Sequence, residues 1–393
     1  MTDAAVPHRQ ARSGFDLYIV ALTAALVGIG IVAVFSASFA KAALSAGDSL
    51  YLVKRQAFAA VLGVGAMLLV ARLNLQRVRL AAYGIAAAAV VLLILVLAFG
   101  VNINGARRWF QIGFFHFQPS EFAKLALVLA VARYALEHPD RMRSLKGLAI
   151  PLAGAAAAGL LIVIEPDLGT ALVVVALAFL MCNFAGARLR HLAVYGLVAL
   201  AFVVGAIFAE PYRLDRVKAW LHPGDTALTG SYQMRHSVIA LGAGGPIGRG
   251  LAESREKYSY LPAAETDCIF AIIGEEMGLI GTWGLLALFG LLAWRGLGVS
   301  LRAADPFHAL LGAGVTSLIL AQVILNVAVV TGLLPTKGAP LPFVSYGGSA
   351  LVFTMAGVGL LLNISRQRAR SGRAPQVTAR WRETRRAARL MTT

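Results

Sequence analysis

Charged residues are scarce in this chain: they make up 14% of its 393 residues, while hydrophobic residues make up 59%. A soluble domain has roughly 25% charged and 45–50% apolar residues. Only two cysteines are present, Cys182 and Cys268, which excludes a disulfide framework and a cysteine-based zinc site. The seven histidines are scattered without metal-ligand spacing, so no metal site is predicted. The excess of apolar over charged residues excludes a soluble protein and indicates an integral membrane protein.

The apolar residues lie in ten long blocks, close in length to the roughly 17–25 residues that a helix needs to cross a bilayer. We therefore predict an all-α integral membrane protein with about ten transmembrane helices. The predicted spans are 15–37, 57–71, 80–100, 120–136, 147–164, 168–184, 192–209, 268–294, 308–332 and 344–364. They would form one membrane domain at 15–365, between a polar tail at 1–14 and a basic tail at 366–393.

Basic residues are distributed unevenly between the two ends of the predicted helices. If both termini are cytoplasmic, the cytoplasmic segments hold 22 lysines and arginines, and the short outer loops hold six. Such an excess is typical of the cytoplasmic side, so we predict that both termini are cytoplasmic. Nine of the 36 basic residues lie in the last 28 residues, where anionic lipid headgroups would attract them. The net charge of +17 therefore does not indicate nucleic-acid binding.

The long connection at 210–267, between the seventh and eighth spans, is extracytoplasmic in this orientation. Connections of this length are usually functional when they lack secondary structure of their own. Its stretch at 237–250, SVIALGAGGPIGRG, is apolar but too short and too rich in glycine to span a bilayer. We predict an interfacial or re-entrant element there.

Two pairs of charged residues lie within apolar blocks and away from their cytoplasmic ends, where a charge is costly and usually functional. Glu121 and Lys124 are three residues apart, so a helix places them on one face. They are either a structural ion pair or a pair beside a polar cavity that helps to organise an active site. Glu275 and Glu276 lie one to two helical turns inside the eighth span, so at least one of them must face protein or water.

Two outer segments place cations where an anion could bind. Arg107 and Arg108, in NGARRWFQIG, either anchor the chain to lipid headgroups or grip a diphosphate through their guanidinium groups. Lys337 lies in a proline-rich loop just before the last span. Four residues at the start of that span would expose backbone amides, which together with a lysine suit an anion: Ser345, Gly347, Gly348 and Ser349.

Asp267 is the candidate catalytic base. Thr266 is a good N-cap residue, which would place Asp267 in the first turn of the eighth span. Burial raises the pKa of a carboxyl group and a helix N-terminus lowers it. Asp267 is therefore either an ionised general base or only a stabiliser of the helix end. The segment EPDLGT at 165–170 is predicted to be a capping turn between two spans.

Five motifs resemble the SEDS family of membrane proteins, FtsW and RodA, and follow the family's order. The motifs are NGARRWFQIG with FQPSEFAKL, EPDLGTALV, YQMRHSVIALGAGGPIGRGL, LPAAETDCIFAIIGEEMGLIG and GLLPTKGAPLPFVSYGGSALV. YLPAAETD and the TKG at 336–338 are more similar to FtsW, which acts in division, than to RodA, which acts in elongation. Cys268 stands where the family often has phenylalanine, and Ala350 replaces the second serine of SYGGSS. Neither departure removes a titrating group.

The resemblance implies the SEDS fold and a peptidoglycan glycosyltransferase that polymerises lipid II outside the cytoplasmic membrane. It implies that Asp267 deprotonates the 4-hydroxyl of the acceptor N-acetylglucosamine. That oxygen would attack the anomeric carbon of the donor's N-acetylmuramic acid, with inversion, and expel undecaprenyl pyrophosphate. The candidates for neutralising the leaving group are Arg107, Lys337, Arg213 and Arg216.

The resemblance also maps the family's intramembrane Glu/Lys pair onto Glu121 and Lys124. Gln233, Glu275 and Glu276 are further candidate site residues within the matching motifs. No cofactor is required by these residues, although a divalent cation, magnesium or manganese, would also neutralise the leaving group.

The implied partners are lipid II, the undecaprenyl-linked glycan, membrane lipids, other divisome proteins and a class B penicillin-binding protein, the transpeptidase that cross-links the glycan. The expected location is the bacterial inner membrane, at the division septum.

Three alternatives to a division polymerase stay open: a lipid II flippase, a RodA-type elongation polymerase, and a scaffold that only recruits the transpeptidase. Asp267 argues against the flippase, because a transporter has little need for a base at the outer boundary. Glu121 and Lys124 argue against the scaffold, because intramembrane charges are costly for scaffolding alone.

Overall fold

The computed structural model describes residues 15–46, 48–103, 105–222, 229–258 and 260–371. The predicted tail at 1–14 and the basic tail beyond Ser371 lie outside the described residues.

Helices dominate the part of the chain that is described. They are α1 (Leu17–Ala46), α2 (Tyr51–Val70), α3 (Leu75–Phe99), α4 (Pro119–Glu137), α5 (Leu145–Ile164), α6 (Leu168–Phe184), α7 (Leu189–Phe208), α8 (Pro211–Leu221), α9 (Thr229–Gly244), α10 (Ile269–Leu301), α11 (Pro306–Val330) and α12 (Gly348–Ser371), with one 3₁₀ turn at Arg141–Arg143. The predicted fold class, a helical membrane protein, is confirmed.

Eight of the described helices are long and apolar enough to cross a membrane: α1, α2, α3, α5, α7, α10, α11 and α12. The other two predicted spans are also helices. α6 is apolar but has 17 residues, and α4 has 19 residues and carries Glu121, Lys124 and Arg133. The total of ten spans stays a prediction.

Helix ends are set by local capping. Asn74, Ser144 and Asp305 accept hydrogen bonds from the first backbone amides of α3, α5 and α11. α4, α8 and α11 each have proline in the first turn, where its missing amide hydrogen costs nothing. The boundaries of these helices therefore follow from the sequence beside them.

A three-stranded antiparallel sheet lies between α3 and α4, in the order β1 (Val101–Ile103), β2 (Ala106–Ile112), β3 (Phe115–Phe117). Gly105, with φ of +80°, precedes β2 in a conformation that glycine adopts without strain. The sequence predicts two cations in this segment but not a sheet.

The connection between α7 and α10 contains two helices, α8 and α9. The apolar stretch predicted to be interfacial or re-entrant forms the end of α9 and the turn that follows it. This turn packs into a break in α10 at Gly278, where φ is 66° and ψ is −161°. Four backbone hydrogen bonds close the break: Arg249 N to Glu275 O, Gly250 N to Glu276 O, Leu279 N to Gly245 O and Ile280 N to Pro246 O. The protein itself thus satisfies the backbone groups that the break frees.

Burial differs sharply between helices. α4, which packs against α3, α6 and α11, has 14 of its 19 residues buried, so its two charged side chains near the start are enclosed by protein. α7 is peripheral, since Leu192 is its only buried residue. The sheet and the connections α5–α6, α7–α10 and α11–α12 meet at one end of the helices, which we call the site end.

Candidate functional site

Asp267 lies at the site end, two residues before α10. The helix begins at Ile269 with Cys268 at the N-cap position, so the predicted N-cap at Thr266 is wrong. The Thr266 hydroxyl instead donates to Ala263 O (3.3 Å), because residues 261–268 form a run of turns before the helix starts. Asp267 is therefore held by a turn ahead of the helix, with its side chain only partly buried.

Two cavities meet at Asp267. Both are lined by Asp267, Asp167, Arg108, Trp109 and Gly338. The first, of about 550 Å³, we call the cationic cavity. The second, of about 480 Å³, we call the α12 cavity, because the start of α12 forms part of its wall. A carboxylate between two cavities can contact two different substrate groups at once.

The cationic cavity contains four cations: Arg108, Arg213, Arg216 and Lys337. Three are fixed by backbone carbonyls. Arg108 donates to Glu165 O (2.7 Å) and Pro166 O (2.6 Å), Arg213 to Val163 O (3.0 Å), and Arg216 to Thr336 O (2.9 Å). Carbonyl oxygens do not neutralise the guanidinium groups, so the four cations outnumber the two carboxylates, Asp167 and Asp267, in the lining of this cavity.

Lys337 differs from the three arginines. Its ammonium makes no hydrogen bond or ion pair with any residue that the structure describes. Burial lowers the pKa of Lys337 to about 8, and the charge of Asp167 partly opposes this shift. Lys337 is therefore a cation without a direct partner, available to a ligand anion.

The cationic cavity also has an apolar part of its lining. Val203 and Ile207 of α7, Leu172 of α6 and Leu325 of α11 line it. A ligand bound here would place an anionic group among the cations and an apolar group beside the peripheral helix α7.

The α12 cavity combines aromatic and polar groups. Phe58, Phe114, Phe115 and Tyr346 contribute rings, while Arg55, His116 and Gln118 contribute polar groups. Gly347, Gly348 and Ser349, at the start of α12, also line it. The predicted approach of the last helix's N-terminus to the site is therefore present in the geometry.

The carboxyl group of Asp267 has an altered acidity. Burial is the main cause that raises the pKa of Asp267 to about 7, and the charge of Asp167 adds to it. Arg216 and Arg108 act in the opposite direction. A carboxyl group with this pKa exchanges its proton near neutral pH, as a general base must.

Asp167 was predicted to be only part of a capping turn. It does cap α6, accepting hydrogen bonds from Thr170 N (3.0 Å) and Thr170 Oγ1 (2.8 Å). It also lines both cavities, so the site contains a second carboxylate besides that of Asp267. Beside it, burial raises the pKa of Glu165 to about 8, and Asp167 adds to this shift. The charge at 165–167 was visible in the sequence, but its position beside Asp267 was not.

Glu121 and Lys124 form a buried ion pair, with 2.8 Å between Lys124 Nζ and Glu121 Oε1. Glu121 also lines the α12 cavity. Both interpretations of the pair, a structural one and one beside a polar cavity, agree with this arrangement.

Arg107 does not lie with the other cations. Its side chain is exposed, lines neither cavity and donates to Ala98 O (3.3 Å). The next residue of β2, Arg108, lines both cavities, so it is Arg108 and not Arg107 that faces them. The expectation that Arg107 joins the site does not agree with the structure.

Ser345 also differs from its predicted place among the anion-binding residues. Its hydroxyl donates to Thr266 O and accepts from Leu341 N (2.8 Å), and it lines neither cavity. Nearby, Gly347 N donates to Gln56 Oε1 (3.3 Å), so a side chain of α2 occupies that amide. These groups hold the loop together and are not free for an anion.

The remaining candidate residues line neither cavity and bind other groups of the protein. Gln233 donates to Cys268 Sγ (3.2 Å) and lines neither cavity. Glu275 accepts from Ser254 Oγ (2.5 Å) and pairs with Arg249 (3.2 Å).

Glu276 is paired within the core. It accepts from Ser36 Oγ (2.5 Å) on α1 and pairs with Lys257 (3.0 Å), whose side chain is also buried. Both glutamates at 275–276 are therefore buried and paired, and they tie α10 to the connection before it.

Within the described residues, no group of three or more histidine, cysteine, aspartate or glutamate side chains could hold a metal ion. The idea that a divalent cation shares the charge of a leaving group stays a hypothesis.

Comparison with known proteins places this geometry in a family. A family model for FtsW, RodA and SpoVE, described as cell cycle proteins, matches residues 17–370. The stage V sporulation protein E of Bacillus subtilis is 40% identical over 354 residues, which cover 89% of this chain and 97% of that protein. A probable peptidoglycan glycosyltransferase FtsW of Trichlorobacter lovleyi is 39% identical over 354 residues, which cover 89% of this chain and 93% of the relative.

Solved structures agree. RodA of Thermus thermophilus superposes with a TM-score of 0.67 at 32% identity, covering 90% of this chain and 97% of RodA. A chain of a peptidoglycan synthase complex that coordinates polymerization and crosslinking superposes with a TM-score of 0.75 at 34% identity, covering 90% of this chain and 98% of that chain. With eight helices able to span a membrane and a family match over nearly its whole length, this chain is a multi-pass membrane protein and belongs to the FtsW/RodA/SpoVE family.

Proposed function

We propose that this chain is an inverting peptidoglycan glycosyltransferase, which polymerises lipid II and releases undecaprenyl pyrophosphate. One observation carries the proposal: Asp267, whose pKa is raised to about 7, lies where a cavity with four cations meets a second cavity. A glycosyl transfer of this kind needs a base for the acceptor, cations for the leaving group and space for two substrates. Relatives named peptidoglycan glycosyltransferase FtsW support the same activity.

The donor's pyrophosphate binds in the cationic cavity. Arginine presents two parallel N–H groups to phosphate oxygens, and Lys337 adds a point charge. As the bond between the anomeric carbon and the pyrophosphate oxygen breaks, negative charge builds on that oxygen. The fixed cations Arg108, Arg213 and Arg216 stabilise this charge without having to reorient.

The acceptor sugar binds in the α12 cavity, where aromatic rings can pack on its apolar faces. The Asp267 carboxylate takes the proton of the acceptor hydroxyl as that oxygen forms its bond to the anomeric carbon. Attack from the side opposite the leaving group inverts the anomeric centre. The proton stays on Asp267 until solvent removes it.

The polyprenyl chain of the donor leaves the cationic cavity along its apolar side. Val203 and Ile207, on the peripheral helix α7, line that side. A lipid-linked substrate would thus have its pyrophosphate among the cations and its hydrocarbon chain beside the bilayer.

The test is polymerisation of purified lipid II by the reconstituted protein. Asp267→Asn keeps the size of the side chain but removes the base, so we expect glycan synthesis to fall by at least about 100-fold. Binding of the transpeptidase partner and folding should be unchanged. The control is Asp215→Asn on α8, where the carboxylate is more than half exposed and 4.0 Å from Lys218.

The same assay separates the enzyme from a flippase. A flippase would move lipid II across a vesicle membrane whether or not Asp267 is present, and it would form no glycan. Full glycan synthesis by Asp267→Asn would contradict the assignment of the base. Lipid II translocation without any synthesis by the wild type would contradict the enzyme itself.

We further propose that the polymerase acts in division, at the septum of the bacterial inner membrane, with a class B penicillin-binding protein and other divisome proteins. Relatives named FtsW favour division over elongation, and a structural neighbour belongs to a complex that joins polymerization to crosslinking. Co-purification with the transpeptidase and imaging of a fluorescent fusion test these points. A uniform distribution along the cell wall would contradict the septal role.

A further inference from the structure

The backbone at residues 265–267 is held by hydrogen bonds from a single part of the fold. Three successive carbonyl groups, those of Glu265, Thr266 and Asp267, each accept a hydrogen bond. The donors are Tyr346 N (2.9 Å), Ser345 Oγ and Asn326 Nδ2 (2.8 Å), in that order. All three donors belong to α11 or to the connection between α11 and α12, which also carries Lys337.

The side-chain amide of Asn326 donates two hydrogen bonds to backbone carbonyls. It lies on α11, is 1% exposed, and its Nδ2 donates to Ala339 O (2.6 Å) as well as to Asp267 O. Both hydrogens of the amide are thereby used. Because both partners are carbonyl oxygens, only the nitrogen end of the amide can face them.

The two carbonyl groups belong to the two halves of the site. One is the carbonyl of Asp267, and the other belongs to the residue that follows Gly338. A Cβ atom added to Gly338 would lie 3.1 Å from Asp267 Oδ2, so the Lys337–Gly338 loop passes close to the carboxylate. The position of this loop relative to Asp267 therefore sets how far the base lies from Lys337 within the cationic cavity.

Ser345 and Tyr346 also join this turn to the α11–α12 connection, but among the described residues only Asn326 binds the carbonyls of both Asp267 and Ala339. The N-cap residue Cys268 makes no side-chain capping hydrogen bond. Within the turn, Thr266 N and Cys268 N both donate to Ala263 O (3.1 Å each), which shapes the turn but does not attach it to the Lys337 loop.

We infer that Asn326 is a positioning residue, which sets the distance between the Asp267 carboxylate and the Lys337–Gly338 loop by binding one backbone carbonyl of each. The inference rests on the proposed function. Asn326 lines neither cavity and is not expected to contact substrate. Its effect should appear in the rate of the chemical step and not in substrate affinity, because displacements of about 1 Å can lower a rate by about 100-fold.

The chain provides a matched control. Asn363 on α12 is 3% exposed, and its Nδ2 also donates to two backbone carbonyls, Val70 O (2.9 Å) and Leu73 O (2.7 Å). These carbonyls lie at the connection between α2 and α3, away from the cavities. Asn363→Asp therefore makes the same chemical change in an equally buried amide without affecting the site.

The experiment compares Asn326→Asp, Asn326→Ala and Asn363→Asp in lipid II polymerisation by the reconstituted protein, with thermal unfolding in detergent measured in parallel. We expect both Asn326 variants to lose about 100-fold in kcat with a change in KM of no more than about threefold. Asn363→Asp should lower the unfolding temperature comparably but leave kcat within about threefold of wild type. The acid limb of the pH–rate profile should also move in the Asn326 variants, because the surroundings of Asp267 change.

The kcat values of the Asn326 variants distinguish a positioning role from a purely structural one. If the Asn326 variants keep wild-type kcat, or lose no more of it than Asn363→Asp at equal loss of stability, the positioning role is overturned. If Asn326→Asp does not fold, the smaller Asn326→Ala carries the same comparison. Failure of the proposed function would look different, since wild type and Asp267→Asn would then be equally inactive.

Discussion

At the residue scale, Lys337 is the clearest example of a charged side chain without a direct partner in the described part of the chain. Its ammonium has no direct partner among the described residues, and burial lowers the pKa of Lys337 to about 8. A half-buried cation without a direct partner costs stability, so its presence beside three arginines favours a ligand that carries several negative charges.

The pH dependence of the reaction follows from two side chains. Asp267, with a pKa of about 7, must lose its proton to act as a base, so kcat/KM should rise with pH through about 7. Lys337, with a pKa of about 8, loses its charge at higher pH, so kcat/KM should then fall. We expect a narrow bell-shaped profile. Lys337→Ala should lower kcat/KM by about tenfold at its maximum, about 1.4 kcal/mol, with residual activity.

Lys337→Arg separates the causes of the alkaline limb. Arginine stays charged in this range, so the limb should disappear while much of the activity remains. If the limb persists, it belongs to another group, and buried Glu165, whose pKa is also about 8, is the first to examine. Lys218→Ala on α8, where the lysine side chain is 55% exposed, is the control for loss of a cation near the site. An unchanged rate for Lys337→Ala would remove Lys337 from the pyrophosphate site.

Arg107 and Arg108 show why residue type alone does not identify a site. The sequence places two identical side chains next to each other, and either could bind a phosphate. In the structure Arg108 lines both cavities, whereas Arg107 is exposed and lines neither. Alternation along β2 would not have predicted this, because the adjacent residues Arg108 and Trp109 both line the cavities.

At the scale of elements, the break in α10 connects the site to the helix core. The first part of α10, residues 269–277, begins beside Asp267 and ends just before the break at Gly278. The turn after α9 binds the freed backbone groups, and Glu275 and Glu276 bind the connection that follows. Asp267 is thus attached to a short helical segment that is secured at its far end.

Gly278→Ala tests this arrangement. Gly278 has a φ of 66°, and a Cβ atom there would lie 2.4 Å from Gly248 N and 2.6 Å from Ile247 C, both backbone atoms. Alanine would add strain and a clash, so we expect a loss of at least about 1 kcal/mol in the free energy of unfolding. Thermal unfolding in detergent measures this change.

The control for Gly278→Ala lies in the same helix. Gly284 has no atom within 4 Å of an added Cβ, and it lies beyond the break in regular helix. Gly284→Ala should leave stability unchanged or raise it slightly, because alanine favours helix over glycine. Equal effects of the two substitutions would show that the break imposes no special requirement.

At the scale of the whole molecule, the connections between helices lie in two groups, one at each end of the helices. Asp267, the sheet and Lys337 lie at the site end. The α2–α3 connection and the far part of α12 meet at the other end, where Asn363 binds Val70 and Leu73. This alternation agrees with an even number of spans and with both termini on one side.

Membrane topology can be tested directly by cysteine labelling. Both native cysteines are buried, so they should contribute little labelling, and an exposed cysteine can be introduced at one position at a time. In right-side-out membrane vesicles, a membrane-impermeant thiol reagent should label Gln111→Cys at the site end and not Asp140→Cys in the α4–α5 connection. Labelling of both from outside would contradict the alternating arrangement, and labelling of Asp140→Cys alone would reverse the predicted orientation.

The sequence by itself determined the membrane class, the approximate positions of the long apolar helices, and the residues with unusual chemistry. These properties depend on local composition: hydrophobic blocks set the spans, capping residues set helix ends, and charged residues are rare enough in such blocks to stand out. Asp267, Lys337 and the Glu121–Lys124 pair were recognisable for this reason.

The tertiary structure decided which of those residues meet. The choice of Arg108 over Arg107, the entry of Asp167 into the site, the structural role of Ser345 and the link through Asn326 all depend on contacts between residues far apart in the chain. Asn326 and Asp267 are 59 positions apart, and Ser345 and Thr266 are 79 apart. No local pattern encodes such a distance, because it results from the packing of whole helices against one another.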